Sequence, residues 1–183
     1  MKKTMNHFRN KQAGLTMVEL LIAITMSLLL IAGVGYGASK FIANNKTKTS
    51  LEDMPLIFAK TQKIYSSAAT YSGINITNLV NNRAFPAELV VAGTPPTVNN
   101  RYGGAITVAA GTIVSANDGV LFTLSNVDEE ACADLVNGLQ NTTSRVRVDT
   151  VVVKPIGGTL DVAALGTNCN DSATNVVDFL VGK

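Results

Sequence analysis

The stretch that most constrains this chain is a run of 24 residues, Leu15–Ala38, apolar throughout except for one acid, Glu19, and a few small or hydroxyl side chains. As a helix at 1.5 Å per residue it reaches about 36 Å, enough to cross a hydrocarbon core of about 30 Å. An acid inside such a run is expensive, about 2.5–3.5 kcal/mol at the centre of an inserted helix. A plain anchor gains nothing from Glu19, so the residue asks for a cationic partner.

What precedes the run is basic. Lys2, Lys3, Arg9 and Lys11 all lie before Gly14, and they account for the chain's formal charge of +2. Of fifteen Lys and Arg residues, eleven remain after Gly14, against thirteen acids, so the rest of the chain is mildly acidic. Positive residues on the N-terminal flank keep that end in the cytoplasm. A secretory signal peptide does not fit. Its small-residue cleavage site follows the apolar region, whereas Gly14 comes first. Cleavage after Gly14 removes the basic leader, keeps the apolar helix and gives Leu15 a free, positively charged amine. Glu19 lies one helical turn further on. In a bundle of such helices, Glu19 of one copy can pair with the terminal amine of another, and the acid becomes a reason to assemble.

The body that follows is long enough for one core. Ser39–Ser50 continues the helix, and Ser50–Pro55 is expected to kink or restart it. Ile57, Ile64, Ala68 and Tyr71 predict an amphipathic helix over Leu56–Tyr71, ended by Ser72-Gly73. Residues 74–104 are irregular, with one short helix near Thr77–Asn82. Ala105–Ala110, Thr112–Ala116 and Val120–Ser125 are short β-rich runs, and Asn117-Asp118-Gly119 marks a hairpin. Asn126 is an expected N-cap, with Glu129 at the capping-box position of a helix running to about Gly138. Ser144–Lys154 alternates as a strand, with Arg145 and Arg147 on a solvated face, and Asn175–Val181 is a final strand. These elements predict an α+β fold, a helix followed by an antiparallel sheet.

Little points to catalysis. The one histidine, His7, is in the leader. There is no metalloprotease helix, phosphate loop or nucleophile elbow. The acids Asp128, Glu129 and Glu130 are explained by a helix N-terminus, with Asp134 one turn on. No basic patch suggests nucleic acid. The two cysteines, Cys132 and Cys169, follow the apolar run, and an even count in an exported body reads as one disulfide. Metal binding needs more ligands than these. No catalytic residue, metal site or cofactor is expected.

KQAG before the cut, LTMVELLIAI after it and an acid at the fifth position beyond the cut together resemble the prepilin cleavage motif of type IV pilins. The resemblance implies that a prepilin peptidase cuts between Gly14 and Leu15 and N-methylates Leu15, and that Glu19 serves assembly. It implies the pilin lollipop: a long N-terminal helix, with a transmembrane half and an amphipathic half, packed on an antiparallel head with one disulfide. The expected division is a leader (1–14), a membrane and filament-core helix (15–38), its amphipathic continuation (39–71) and a globular head (72–183). A first mature residue of Leu15 rather than Phe, a leader of 14 residues and the stretch SNVDEEACADLVNGL resemble the type IVb subfamily, the pilins of enteric colonisation pili and plasmid thin pili. In that subfamily the chain is a major pilin that forms a homopolymer. Its other partners are the prepilin peptidase, the inner-membrane assembly machinery and, before assembly, the membrane itself. The subunit passes from the inner membrane, head in the periplasm, to an extracellular filament. A minor pilin and a type II secretion pseudopilin share the N-terminal pattern, but pseudopilins commonly begin with Phe and lack the disulfide. A membrane-anchored envelope binding protein needs neither cleavage nor Glu19. Where the helix loosens on assembly, Gly33, Gly35 and Gly37 are the expected place.

Overall fold

A helix of 48 residues, α1 (Met17–Ile64), opens the computed structural model, which describes residues 16–170 and 174–183 and, within α1, no side chain of 32–39. The chain divides into two units, Met1–Phe41 and Ile42–Lys183.

In the second unit, α1 buries Thr47, Ser50, Met54, Ile57, Phe58 and Thr61. The spacing of three and four residues keeps them on one helical face. Pro55 lies inside the helix and does not end it. The expected restart there is therefore corrected. Proline forfeits one backbone hydrogen bond, but the buried residues on both sides hold the helix to the core. The helix also stops earlier than predicted, at Ile64. Tyr71 still reaches the core, through turns rather than along a helix face, because its N–H donates to the Asn117 carbonyl at 2.8 Å. Ala68 is only half-buried.

A short helix, α2 (Ile76–Asn81), follows, capped by the Asn75 side chain, which accepts from Asn78 N–H at 2.8 Å. A two-stranded ribbon, β1 (Val90–Val91) with β2 (Thr97–Val98), was not anticipated. Then come β3 (Ile106–Gly111), β4 (Gly119–Asp128), α3 (Glu129–Leu139), β5 (Arg145–Val148), β6 (Val151–Lys154), α4 (Val162–Cys169) and β7 (Thr174–Gly182). The five-stranded sheet has the order β3-β4-β7-β5-β6, and every pair is antiparallel. The C-terminal strand is thus central. Phe58 of α1 meets Phe122 of β4 at 4.9 Å and Phe179 of β7 at 6.3 Å between ring centroids. Each such ring buried contributes on the order of 1.5–3 kcal/mol. This is the predicted α+β fold.

Three local expectations are corrected. Thr112–Ala116 is a loop, because the N–H groups of Ile113, Val114 and Ser115 all donate to the Asp118 carboxylate instead of a neighbouring strand. Asn126 is no cap. It sits in β4 at φ 58°, where the β4–β7 register shifts, and its Nδ2 donates to the Tyr102 carbonyl. Asp128 occupies the cap position of α3 and makes no side-chain cap bond, so the capping box with Glu129 does not form. Ser144–Lys154 is two strands, reversed at Asp149, which adopts φ 52° and whose carboxylate accepts from Val176 N–H of β7 at 2.9 Å.

Candidate functional site

The first unit begins its helix on Thr16. Thr16 Oγ1 accepts from Glu19 N–H at 3.3 Å, and the Thr16 carbonyl accepts from Leu20 N–H at 3.1 Å. Thr16-Met-Val-Glu19 therefore has a threonine N-cap with an acid three residues on, the sequence form of a capping box. Pattern reading could have found Thr16 from those four residues and did not. Glu19 lies in the first turn with its side chain exposed, where an acid also suits the positive end of the helix dipole.

From Met17 to Ile31 the large apolar side chains are uncovered, Met17 by 84% and Leu29 by 71%. The hydroxyls in this stretch are turned inward on the helix itself. Thr25 Oγ1 donates to the Ile22 carbonyl at 2.9 Å, and Ser27 Oγ donates to the Ala23 carbonyl at 2.7 Å. A hydroxyl satisfied by its own backbone does not need water, so Glu19 is the one charged group that residues 17–31 present outward. Gly14 and Leu15 lie outside the described residues, as do the side-chain surroundings of Gly33, Gly35 and Gly37. Among the described residues no helix is long and apolar enough to cross a membrane; the expected span of 15–38 runs partly outside them.

The second unit is closed by a disulfide. Cys132 of α3 and Cys169 of α4 are bonded, with 5.7 Å between their Cα atoms, and both are fully buried. α4 is capped by Asp161, whose carboxylate accepts from Ala164 N–H at 3.0 Å. That helix was not anticipated. The disulfide brackets β5 and β6. Of the acids near Cys132, Glu129, Glu130 and Asp134 are exposed on α3. Among the described residues no group of His, Cys, Asp and Glu is arranged to hold a metal ion.

Two polar constellations in this unit carry structure and escaped the sequence reading. Arg101 joins α1 to the segment before β1. Its Nε donates to Asp53 Oδ2 at 2.9 Å and its Nη2 to Glu88 Oε1 at 3.2 Å. Burial opposes the charge on Arg101, but hydrogen bonds to Asp53 and Glu88 outweigh it and raise the guanidinium pKa. Beside it, Tyr102 OH donates to Thr47 Oγ1 at 3.2 Å, and burial raises the phenol pKa. The second constellation pairs Arg147 with Asp178, so Arg147, on the more open face of β5, also carries a structural ion pair.

Similarities to known proteins cover both units. Residues 44–181 match the family described as PilS N terminal, and residues 9–35 match the prokaryotic N-terminal methylation motif. The major structural subunit of bundle-forming pilus from Escherichia coli O127:H6 (strain E2348/69 / EPEC) is 25% identical over 133 residues, 73% of this chain and 67% of that protein. The subunit of the same name from Escherichia coli O111:H- has the same identity and coverage. Among solved structures, the fold resembles TcpA, a type IV pilin from Vibrio cholerae El Tor biotype, with a TM-score of 0.57 at 15% identity, over 74% of this chain and 98% of that one. It resembles the type IV b pilin from Salmonella typhi with a TM-score of 0.56 at 18% identity, over 74% and 97%.

Proposed function

The chain belongs to the PilS family, and from that membership we propose that it is the major structural subunit of a type IVb pilus. Its product is a filament, and it serves as a building block rather than an enzyme. The bundle-forming pilus proteins it resembles are major structural subunits.

The observation that carries the reading is Glu19, the one outward charge on a helical surface that is otherwise apolar from Met17 to Ile31. A prepilin peptidase cuts after Gly14 and methylates Leu15. Glu19 of one copy then pairs with the Leu15 amine of another, which neutralises both groups away from water and sets the axial register. Apolar burial of residues 15–38 against neighbouring copies supplies most of the assembly energy at about 25 cal/mol per Å². Before assembly the same apolar surface holds the subunit in the inner membrane, with residues 72–183 in the periplasm. The inner-membrane machinery then moves it into the extracellular filament. The filament serves adhesion, aggregation or conjugative contact.

The test replaces Glu19 by Val or Ala in the full chain and measures sheared surface filaments. Loss of filaments with normal processing is expected, and normal filament yield sinks the proposal. Gly14→Asp is expected to leave the unprocessed, slower-migrating form. Abundance of the chain in sheared filaments separates a major from a minor pilin.

A further inference from the structure

Three cations converge where α1 ends and α2 ends. Lys60, Lys63 and Arg83 line two adjoining cavities of about 400 and 580 Å³, which share Lys60 and Arg83. All three side chains are exposed, and none is in an ion pair among the described residues. The acid on the neighbouring segment, Glu88, is taken by Arg101. The wall of the larger cavity is apolar and includes Val80, Phe85 and Pro86.

Arg83 holds its place against its own backbone preference. The chain leaves α2 by a Schellman turn, with Arg83 N–H donating to the Val80 carbonyl and Ala84 N–H to the Leu79 carbonyl, both at 2.9 Å. The turn puts Arg83 at φ 56°. Glycine or asparagine usually takes that slot. Here the residue whose guanidinium lines the groove takes it.

Opposite charge lies elsewhere on the same unit. Asp128, Glu129 and Glu130 open α3, with Asp134 one turn on, and the helix contains no Lys or Arg. Asp134 borders the same cavity as Lys48 and Leu51 of α1. Lys60 is twelve residues further along α1, about 18 Å at 1.5 Å per residue. The basic groove and Asp134 are therefore at different heights along one helix, and among the described residues neither Asp128 nor Glu129 forms an ion pair with Lys60, Lys63 or Arg83.

We propose that the Lys60–Lys63–Arg83 groove receives the acidic first turn of α3, Asp128 and Glu129, from a second copy of this chain in the filament. This rests on the reading of the chain as a pilin. Groove and acidic turn are different patches, so the contact is heterologous and propagates instead of closing a dimer. Exposed ion pairs contribute little affinity each. Their part is to select the face and orientation of the incoming head, while the apolar wall covers the aliphatic stems.

The test uses the full chain in a cell that assembles it. Arg83→Glu is expected to cut sheared-filament yield by about tenfold, the factor that 1.4 kcal/mol represents, and Arg83→Glu with Glu129→Arg to restore it. Arg83→Gly removes the guanidinium from a slot that glycine occupies without strain, so a drop in its yield is not a folding defect. In wild-type filaments mixed from two isotopically distinct subunits, a zero-length amine–carboxyl coupling reagent is expected to join Lys60 or Lys63 of one copy to Asp128 or Glu129 of another. This second measurement needs no substitution and decides the matter if a variant misfolds. Wild-type yield for both Arg83 variants, no rescue by the double variant when its head is folded, or no such cross-link overturns the groove contact. Arg83→Gly filaments at normal yield that lose retention of dextran sulfate also overturn it, by assigning the groove to an external polyanion. Absence of filaments from the wild-type chain instead sinks the pilin reading itself.

Discussion

Arg147 of β5 lies across Asp178 of β7, with Nε at 2.8 Å and Nη2 at 2.5 Å from the same carboxylate oxygen, Oδ2. The other oxygen, Oδ1, accepts from Thr123 Oγ1 of β4 at 2.5 Å. Three strands thus share one acid, and Asp178 is only 3% exposed. The β4–β7 and β5–β7 registers place Thr123 and Arg147 directly opposite Asp178. Both sides of the central strand are tied at one level.

Removal of Arg147 therefore leaves a buried carboxylate with one hydroxyl. Breaking a fully buried pair costs about 3–5 kcal/mol, but the Arg147 side chain is 38% exposed. After discounting for solvent, Arg147→Met is expected to destabilise the head by about 2 kcal/mol. Arg147→Met with Asp178→Asn should recover part of that loss, because no charge is then left buried. Chemical unfolding of the purified chain measures both, and equal stability of wild type and Arg147→Met refutes the prediction.

The disulfide spans a sequence separation of 37 residues. The chain-entropy account gives about 4 kcal/mol for such a loop. Cys132→Ser with Cys169→Ser is expected to lower the unfolding free energy by about that amount or somewhat less. The loosening should be greatest in β5, β6 and α4, which the bond brackets. Hydrogen exchange resolved along the chain checks the location, and a uniform change across residues 42–183 speaks against it.

Asp118 carries a pH dependence. Backbone hydrogen bonds, led by those from Ser115 and Ile113, lower its pKa. The folded carboxyl is thus more acidic than the unfolded one. Its contribution is fully present above the ordinary carboxylate value of about 4 and is lost as pH falls through the lower folded value. Amide exchange at Ile113, Val114 and Ser115 should accelerate below that value. In Asp118→Asn the acid-dependent step should disappear, and its persistence would place the titrating group elsewhere.

Much of the N-terminal segment was legible in the sequence because its pattern is linear. A basic leader, Gly14, an apolar run and Glu19 are read in chain order, and pairing with a strand or helix far away is not needed. The Thr16 cap is equally local, since a threonine with an acid three residues on stands in Thr16-Met-Val-Glu19 itself. The α+β class was legible from the change of periodicity near Ala105. Reversals made without glycine were harder. Asp149 and Asn126 both adopt positive φ, and each sits in a stretch whose alternation reads as uninterrupted strand or helix start. Thr112–Ala116 has strand composition, yet its amides are claimed by one aspartate.

By itself, then, the sequence determined which segment is apolar, where the single acid within it sits and which classes of element follow. Those depend on neighbours within about one helical turn or one hairpin. Only the tertiary structure decided that the last strand is the centre of the sheet, that Arg147 covers Asp178, that Cys132 and Cys169 hold α3 to α4, and that Lys60, Lys63 and Arg83 share a groove. Each of these is a contact between residues distant in the chain, and distant pairing is set by how the whole core closes rather than by any local pattern.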